Sequence, residues 1–284
     1  MRATVSCALR SELPPNLPRR LRIQFAFTRG LTAVLRRLGW REAAIELLAG
    51  GHRARRVLFE RFGSARYSRP ALHHMDRALD ALIDCDGGFF VEAGAFDGYT
   101  QSNTYYLERF RGWRGILVEP MPEFAAQARR NRPGATVFQC ALVRQGHAGD
   151  AIEMEFGDLM SAVGGIHDGD WTAPGLVLGW RDHRTERVAA RPLSALLDEV
   201  GSPAVDLLSL DVEGYEVEAL GGLDFGRHAP AWILVEMHDI TAGREAVSAI
   251  LGDRYVEHGQ LSPLDVLYRR RDVTATGAGA GRAP

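Results

Sequence analysis

Glu92, Gly94, Asp97 and Gly98 fall within ten residues, FFVEAGAFDG (89–98), where an apolar run stops on an acid and two glycines. In an open α/β sheet, ligands collect at the carboxyl ends of the strands, where loops converge and helix N-termini present free N–H groups. Glycines after the acid let the backbone turn sharply and approach a ligand closely. The spacing Glu-x-Gly-x-x-x-Gly differs from the G-x-G-x-x-G of dinucleotide binders, and Phe96 stands where their second glycine would admit a pyrophosphate. The turn therefore suits a ligand with an amino-acid or nucleoside end and no pyrophosphate.

Two further acids end apolar runs. Glu119 closes GILVE (115–119), 21 residues after Gly98, and Pro120 stops the strand at once. A carboxylate at that interval can accept both hydroxyls of a ribose. Asp211 closes VDLLSLD (205–211), and Glu213, Gly214 and Glu216 follow as the next helix opens. Glu213 and Glu216 have a structural explanation, because acids in a first helical turn complement the helix dipole. Asp211 has none of that kind. The run AWILVEMHD (231–239) places Glu236, His238 and Asp239 beside Asp211 if consecutive strands are neighbours in the sheet. Two carboxylates and an imidazole there can deprotonate a hydroxyl or hold a divalent cation, and the sequence leaves both open.

The elements that must position these residues alternate short apolar runs with amphipathic stretches, the pattern of a parallel sheet covered by helices. The expected strands are 88–93, 115–119, 136–142, 205–211, 231–236, 254–258 and 264–269, with helices at 100–110, 122–131, 193–200, 214–221 and 242–251. The fold class is thus α/β, a doubly wound, mostly parallel, seven-stranded Rossmann-like sheet with an N-terminal helical extension. Residues 1–86 form that extension or cap, 87–272 the sheet domain with an insertion at 143–192, and 273–284 a disordered tail of small residues. The insertion carries two further strands, IEMEF and ERVAARP, around a glycine-rich piece.

The composition is that of a globular chain, with 46% hydrophobic and 25% charged residues among 284. Residues 1–86 hold 16 arginines against 8 acids and the remainder 18 against 28, a division of +8 and −10. The basic residues lie along expected helices without interleaved aromatics, which reads as a solvated or docked face and not as a nucleic-acid surface. All 34 basic residues are arginine, so lysine bases and Schiff bases are excluded. Three widely spaced cysteines, Cys7, Cys85 and Cys140, suit a reducing compartment. No run approaches the roughly 18 apolar residues of a spanning helix, and the start lacks a secretory pattern, so the expectation is a cytoplasmic protein with no membrane insertion.

The segments GFFVEAGAFDGYTQSNTYYLERFRGWRGILVEPMPE (88–123) and VDLLSLDVEGYEVEALGGLDF (205–225), with PAWILVE (230–236), resemble the FkbM-type S-adenosylmethionine-dependent methyltransferases. The resemblance covers about 150 residues, 88 to 236. It implies that Glu92, Gly94, Ala95, Asp97 and Gly98 surround the methionine part of S-adenosyl-L-methionine, with Ser102 and Asn103 matching the family's S-N-T segment. It makes Glu119 the ribose acid and places adenine near Cys140 and Ala141. Asp211, Glu213, Gly214 and Glu216 match its second signature. The family is associated with O-methylation of sugar or polyketide-type hydroxyls in secondary metabolism, so a small-molecule hydroxyl acceptor is implied.

Methyl transfer from a sulfonium is an in-line displacement, so alignment and removal of the hydroxyl proton are the protein's tasks. His238, oriented by Asp211 or Glu236, is the leading base. His167 and Asp168 in the insertion are second candidates. A magnesium-like ion on Asp211, Glu236 and His238 is the alternative way to lower the hydroxyl pKa. A nicotinamide-dependent oxidoreductase and a non-catalytic binding protein on the same scaffold are the rival readings, and homo-oligomerisation is left open.

Overall fold

The computed structural model describes residues 41–156, 162–163 and 184–273. Contacts divide the chain into a unit ending at Tyr67 and a second beginning at Ser68. In the first, helix α1 (Arg41–Arg61) carries Phe59, whose ring meets Tyr67 edge-on at 4.8 Å. Residues 68–86, expected as part of the N-terminal extension, group with the second unit. Their helix α2 (Met75–Ile83) places Met75, Leu79 and Ile83 on one face, and all three are buried with Phe90, Trp113 and Leu234. The Trp113 indole N–H donates to the Cys85 carbonyl at 2.8 Å and ties the end of this segment down.

Seven strands form the main sheet: β1 (Phe89–Ala93), β2 (Arg114–Val118), β3 (Thr136–Phe138), β8 (Leu207–Leu210), β9 (Trp232–Glu236), β10 (Tyr255–Gln260) and β11 (Asp265–Arg270). Their order is β10-β11-β9-β8-β1-β2-β3, and β11 alone runs against the rest. This is the Rossmann-like, mostly parallel sheet the sequence predicts. Strands β1, β2, β8 and β9 are nearly continuous runs of buried residues, because helices cover both faces. One face packs Val91, Ile116, Leu208 and Ile233 against α5 (Leu193–Glu199) and α7 (Ile240–Leu251). The chain winds outward from β1 to β3 and then returns to β8 on the other side of β1. A crevice opens at that reversal, above the carboxyl ends of β1 and β8.

The largest differences from the sequence reading lie at two boundaries. The expected strand 136–142 splits, for β3 stays in the main sheet while β4 (Ala141–Leu142) pairs with β7 (Arg184–Arg191) in a second sheet. That sheet, ordered β4-β7-β5-β6 with β5 (Ala151–Phe156) and β6 (Ala162–Val163), is built from the insertion with β4 at its edge. The expected helix 100–110 begins only at Tyr105, as α3 (Tyr105–Phe110). Side-chain bonds to Ser102, Asn103 and Thr104 hold the preceding turn out of helical geometry. Helix α4 (Pro122–Asn131) starts on a proline at its first position, where the missing N–H is no loss.

Among the described residues no helix is long and apolar enough to cross a membrane. The expected tail beyond Val273, His167, Asp168 and the proline arm lie outside the described residues.

Candidate active site

The turn after β1 is built from its own backbone. Gly94 and Ala95 both donate N–H to the Val118 carbonyl at 3.0 and 3.1 Å, drawing the turn over the end of β2. Gly94 (φ 79°) and Gly98 (φ 76°) occupy the left-handed region that side chains disfavour. Phe96 also sits there, at φ 46°, where a glycine would be expected. Its N–H donates to Glu119 Oε2 at 2.8 Å and its ring packs on Phe124 at 4.1 Å, which together hold the uncommon backbone angle.

Glu92 and Asp97, read from the sequence as partners of a ligand's amino-acid end, are committed to the protein itself. Asp97 Oδ1 accepts the N–H groups of Tyr99 (2.8 Å) and Thr100 (2.6 Å), and Oδ2 accepts the Thr100 hydroxyl. Glu92 is 5% exposed. Its Oε1 accepts the Asn103 N–H at 2.7 Å, and Oε2 accepts the hydroxyls of Ser102 (2.8 Å) and Thr104 (2.7 Å). Beneath them lies Arg132, fully buried. It donates Nε to Glu108 (2.6 Å), Nη1 to the Gly98 carbonyl (3.2 Å), Ser102 Oγ (3.1 Å) and Glu92 (3.4 Å), and Nη2 to Thr104 Oγ1 (2.9 Å). One guanidinium thus fixes the turn, the S-N-T segment and the end of β1 relative to each other. The sequence reading missed Arg132, because it stands with Arg129 and Arg130 where basic residues ordinarily complement a helix C-terminus.

Glu119, 5% exposed, accepts the N–H of Phe96 on one oxygen and of Met121 (2.9 Å) on the other. Burial pushes its carboxyl up to about 7. A carboxylate has about four lone-pair sites, so two remain for the hydroxyls of a ribose. The residues present therefore fit a nucleoside at this end of the crevice. Ala141 is buried against Met154 and Val188 in the second sheet, and Cys140 is buried in the main core, where desolvation pushes its thiol up to about 12.

On the other side of the reversal, β8 and β9 are paired with Leu210 beside Val235, which sets Asp211 and Glu236 level with each other. Their carboxyls are hydrogen-bonded. Burial, then the Glu236 bond and charge, with Glu213 and Glu216 adding repulsion, raise Asp211 well above the usual carboxylate range. The pair lines a pocket of about 130 Å³ together with Asn103, Gln101, His73 and Asp265. His73 (φ 50°) and Gln101 (φ 60°) also carry left-handed backbones. The pocket and the β1 turn adjoin, since Gly94 packs on the carbonyl of Asp211.

His238 turns to Glu213. Its Nε2 lies 3.2 Å from Glu213 Oε2, and this bond, ahead of an opposing burial effect, raises the imidazole pKa. Glu213 reaches it because its own backbone turns left-handed, at φ 53°. Glu216 closes the same turn, its Oε1 accepting the N–H groups of Val212 (3.1 Å) and Gly214 (3.0 Å). Glu216 stands in the first turn of the short helix α6 (Glu216–Leu220), as the dipole reading has it, and together with Glu213 it also ties the strand end together. Asp239 caps α7 through the N–H groups of Thr241 and Ala242. Among the described residues no three His, Cys, Asp or Glu side chains converge as metal ligands, and the cation site the sequence left open on Asp211, Glu236 and His238 gains no support.

The sequence of residues 92–261, more than half the chain, matches the methyltransferase FkbM domain family. No curated protein matches the chain by sequence. Among solved structures, methyltransferase FkbM from Methylobacillus flagellatus is 18% identical with a TM-score of 0.41 and covers 65% of this chain, which spans 44% of that protein's length. A TehB-like SAM-dependent methyltransferase from Corynebacterium glutamicum is 12% identical with a TM-score of 0.39, over 78% of this chain and 97% of its own. A SAM-dependent methyltransferase from Thiobacillus denitrificans, in complex with S-adenosyl-L-homocysteine, gives 13% and 0.27, over 63% of this chain and 54% of its own. On the strength of the 92–261 match, the chain belongs to the methyltransferase FkbM domain family.

Proposed function

We propose that the protein transfers a methyl group to a hydroxyl of a small molecule, a sugar or polyketide-type secondary metabolite, in the cytoplasm. S-adenosylmethionine supplies an electrophilic methyl group when bound. Glu119 would hold its ribose, and the turn 94–98, locked from below by Glu92 and Arg132, would hold its amino-acid end.

The observation that carries the reading is the hydrogen-bonded pair Asp211–Glu236 facing a pocket immediately beside that turn. As a neutral hydroxyl attacks, its proton must leave, and a carboxylate of the pair is placed to accept it. Holding the acceptor against the pair also aligns its oxygen, which is where most of the acceleration of a displacement comes from. His238, bonded to Glu213, tunes the charge around the pair rather than serving as the base. The reading needs no metal ion, and family membership sets aside the nicotinamide reaction.

Calorimetry tests the first half: S-adenosylhomocysteine should bind in the micromolar range while NAD gives no heat. A chain that binds neither would be a scaffold without catalysis. Radiolabelled methyl transfer to a panel of sugars and polyols, with Asp211→Asn as the control, tests the second.

A further inference from the structure

The pocket beside the acid pair is lined by groups that accept hydrogen bonds. Asp211, Glu236 and Asp265 bring three carboxyls to its wall, and His73 is the one basic side chain there. The Ser262 hydroxyl, another donor on the wall, is already bonded to Asp265. Asn103 is 7% exposed, gives its amide N–H to Ser209 at 3.1 Å, and leaves Oδ1 buried with no partner. An amide oxygen left that way costs about 1–3 kcal/mol, so its persistence marks a place where a ligand's donor belongs.

The charge balance narrows the ligand. Three carboxyls, Asp211, Glu236 and Asp265, face a single imidazole, His73, across the pocket, and the charges of Glu213 and Glu216 add to the repulsion felt at Asp211. His238 is engaged by Glu213 and does not line the pocket. A carboxylate or phosphate ligand would be repelled. A neutral diol supplies two donors and leaves the buried charge uncompensated. An ammonium supplies three donors and the missing positive charge together.

Resting on the methyl-transfer reading above, we infer that this pocket takes the protonated primary amine of an amino-alcohol acceptor. The amine is anchored by Asp265 and the free oxygen of Asn103, and the neighbouring hydroxyl is presented to Asp211–Glu236.

The test is calorimetric, on the full chain saturated with S-adenosylhomocysteine near neutral pH. The probes are trans-2-aminocyclohexanol, the matched trans-cyclohexane-1,2-diol and trans-2-hydroxycyclohexanecarboxylate. The amino alcohol should bind at least tenfold more tightly than the diol, and the carboxylate should give no heat. Asp265→Asn should erase the preference while S-adenosylhomocysteine affinity stays within twofold, which also shows that the variant folds. Equal binding of diol and amino alcohol, or no binding of either at tens of millimolar, overturns the inference and leaves methyl transfer standing. Failure of S-adenosylhomocysteine itself to bind removes both.

Discussion

Gly94 and Asp211 approach so closely that a Cβ on the glycine would lie 1.7 Å from the aspartate's carbonyl oxygen. The contact joins the turn that would hold the methyl donor to the strand end carrying the acid pair, and it is backbone on both sides, so neither can swing away. Gly94→Ala adds a left-handed strain of about 1–2 kcal/mol to an overpacking cost of about 1–3 kcal/mol. We expect a loss of about 2–5 kcal/mol in urea unfolding and at least a hundredfold loss of S-adenosylhomocysteine affinity. Unchanged affinity would show that the two strand ends function independently.

Glu119 should make cofactor binding depend on pH. Its carboxyl rises from 4.5 to about 7 in the fold because burial disfavours the charge. Hydroxyl donors of a ribose prefer the ionised form, so affinity should be full above about pH 7 and fall about tenfold per unit below it. The unliganded protein should behave oppositely: between 4.5 and 7 the folded state binds the extra proton, so Glu119's contribution to stability falls as pH rises through that window. Glu119→Gln should flatten both dependences and weaken binding at pH 8. Titrations of S-adenosylhomocysteine from pH 5.5 to 8.5 on both proteins decide the matter.

The strands and the acid positions were legible because they follow rules that act locally. Buried parallel strands read as unbroken apolar runs, and an acid that ends one stands out, as Glu92, Glu119, Asp211 and Glu236 do. The role of Glu92 was not legible. Whether Glu92 faces a ligand or the protein depends on Ser102, Thr104 and Arg132, the last of them 40 residues away, and no periodicity links those positions. The same holds for His238, whose partner Glu213 sits at a helical first turn in the sequence but takes φ 53° in the fold. Phe96 was correctly singled out as the odd residue of the turn. Its left-handed backbone, fixed by Glu119, could be seen only once the two strand ends were brought together.

The assignment of the base separates two groups that lie close in sequence. With Asp211–Glu236 as the proton acceptor, Asp211→Asn and Glu236→Gln should each lower turnover by about 10²–10⁴ at unchanged cofactor affinity. His238→Ala should cost less than tenfold, because its contact with Glu213 raises its pKa and holds the imidazole away from the pocket. If His238→Ala proved the more damaging change, the Glu213–His238 pair would be the base. Turnover should also survive EDTA; loss of activity with rescue by magnesium would turn the acid pair from base into ligand.

Arg132 offers the sharpest division between fold and function. Removing its charge leaves Glu92 and Glu108 buried without their cation, so Arg132→Met should lose about 3–5 kcal/mol of stability. Arg132→Lys keeps the charge but replaces a planar fork with a single ammonium, which cannot reach Glu108, Thr104, Ser102 and the Gly98 carbonyl together. If Arg132 positions the turn, the lysine variant should regain part of the stability while its KM for S-adenosylmethionine stays at least tenfold raised and kcat is nearly unchanged. Urea unfolding and initial-rate kinetics on the two variants read these separately. A lysine variant with an ordinary KM would reduce Arg132 to a counter-ion for two buried acids, and the geometry of the turn would then have to come from Glu92, Asp97 and Glu119 alone.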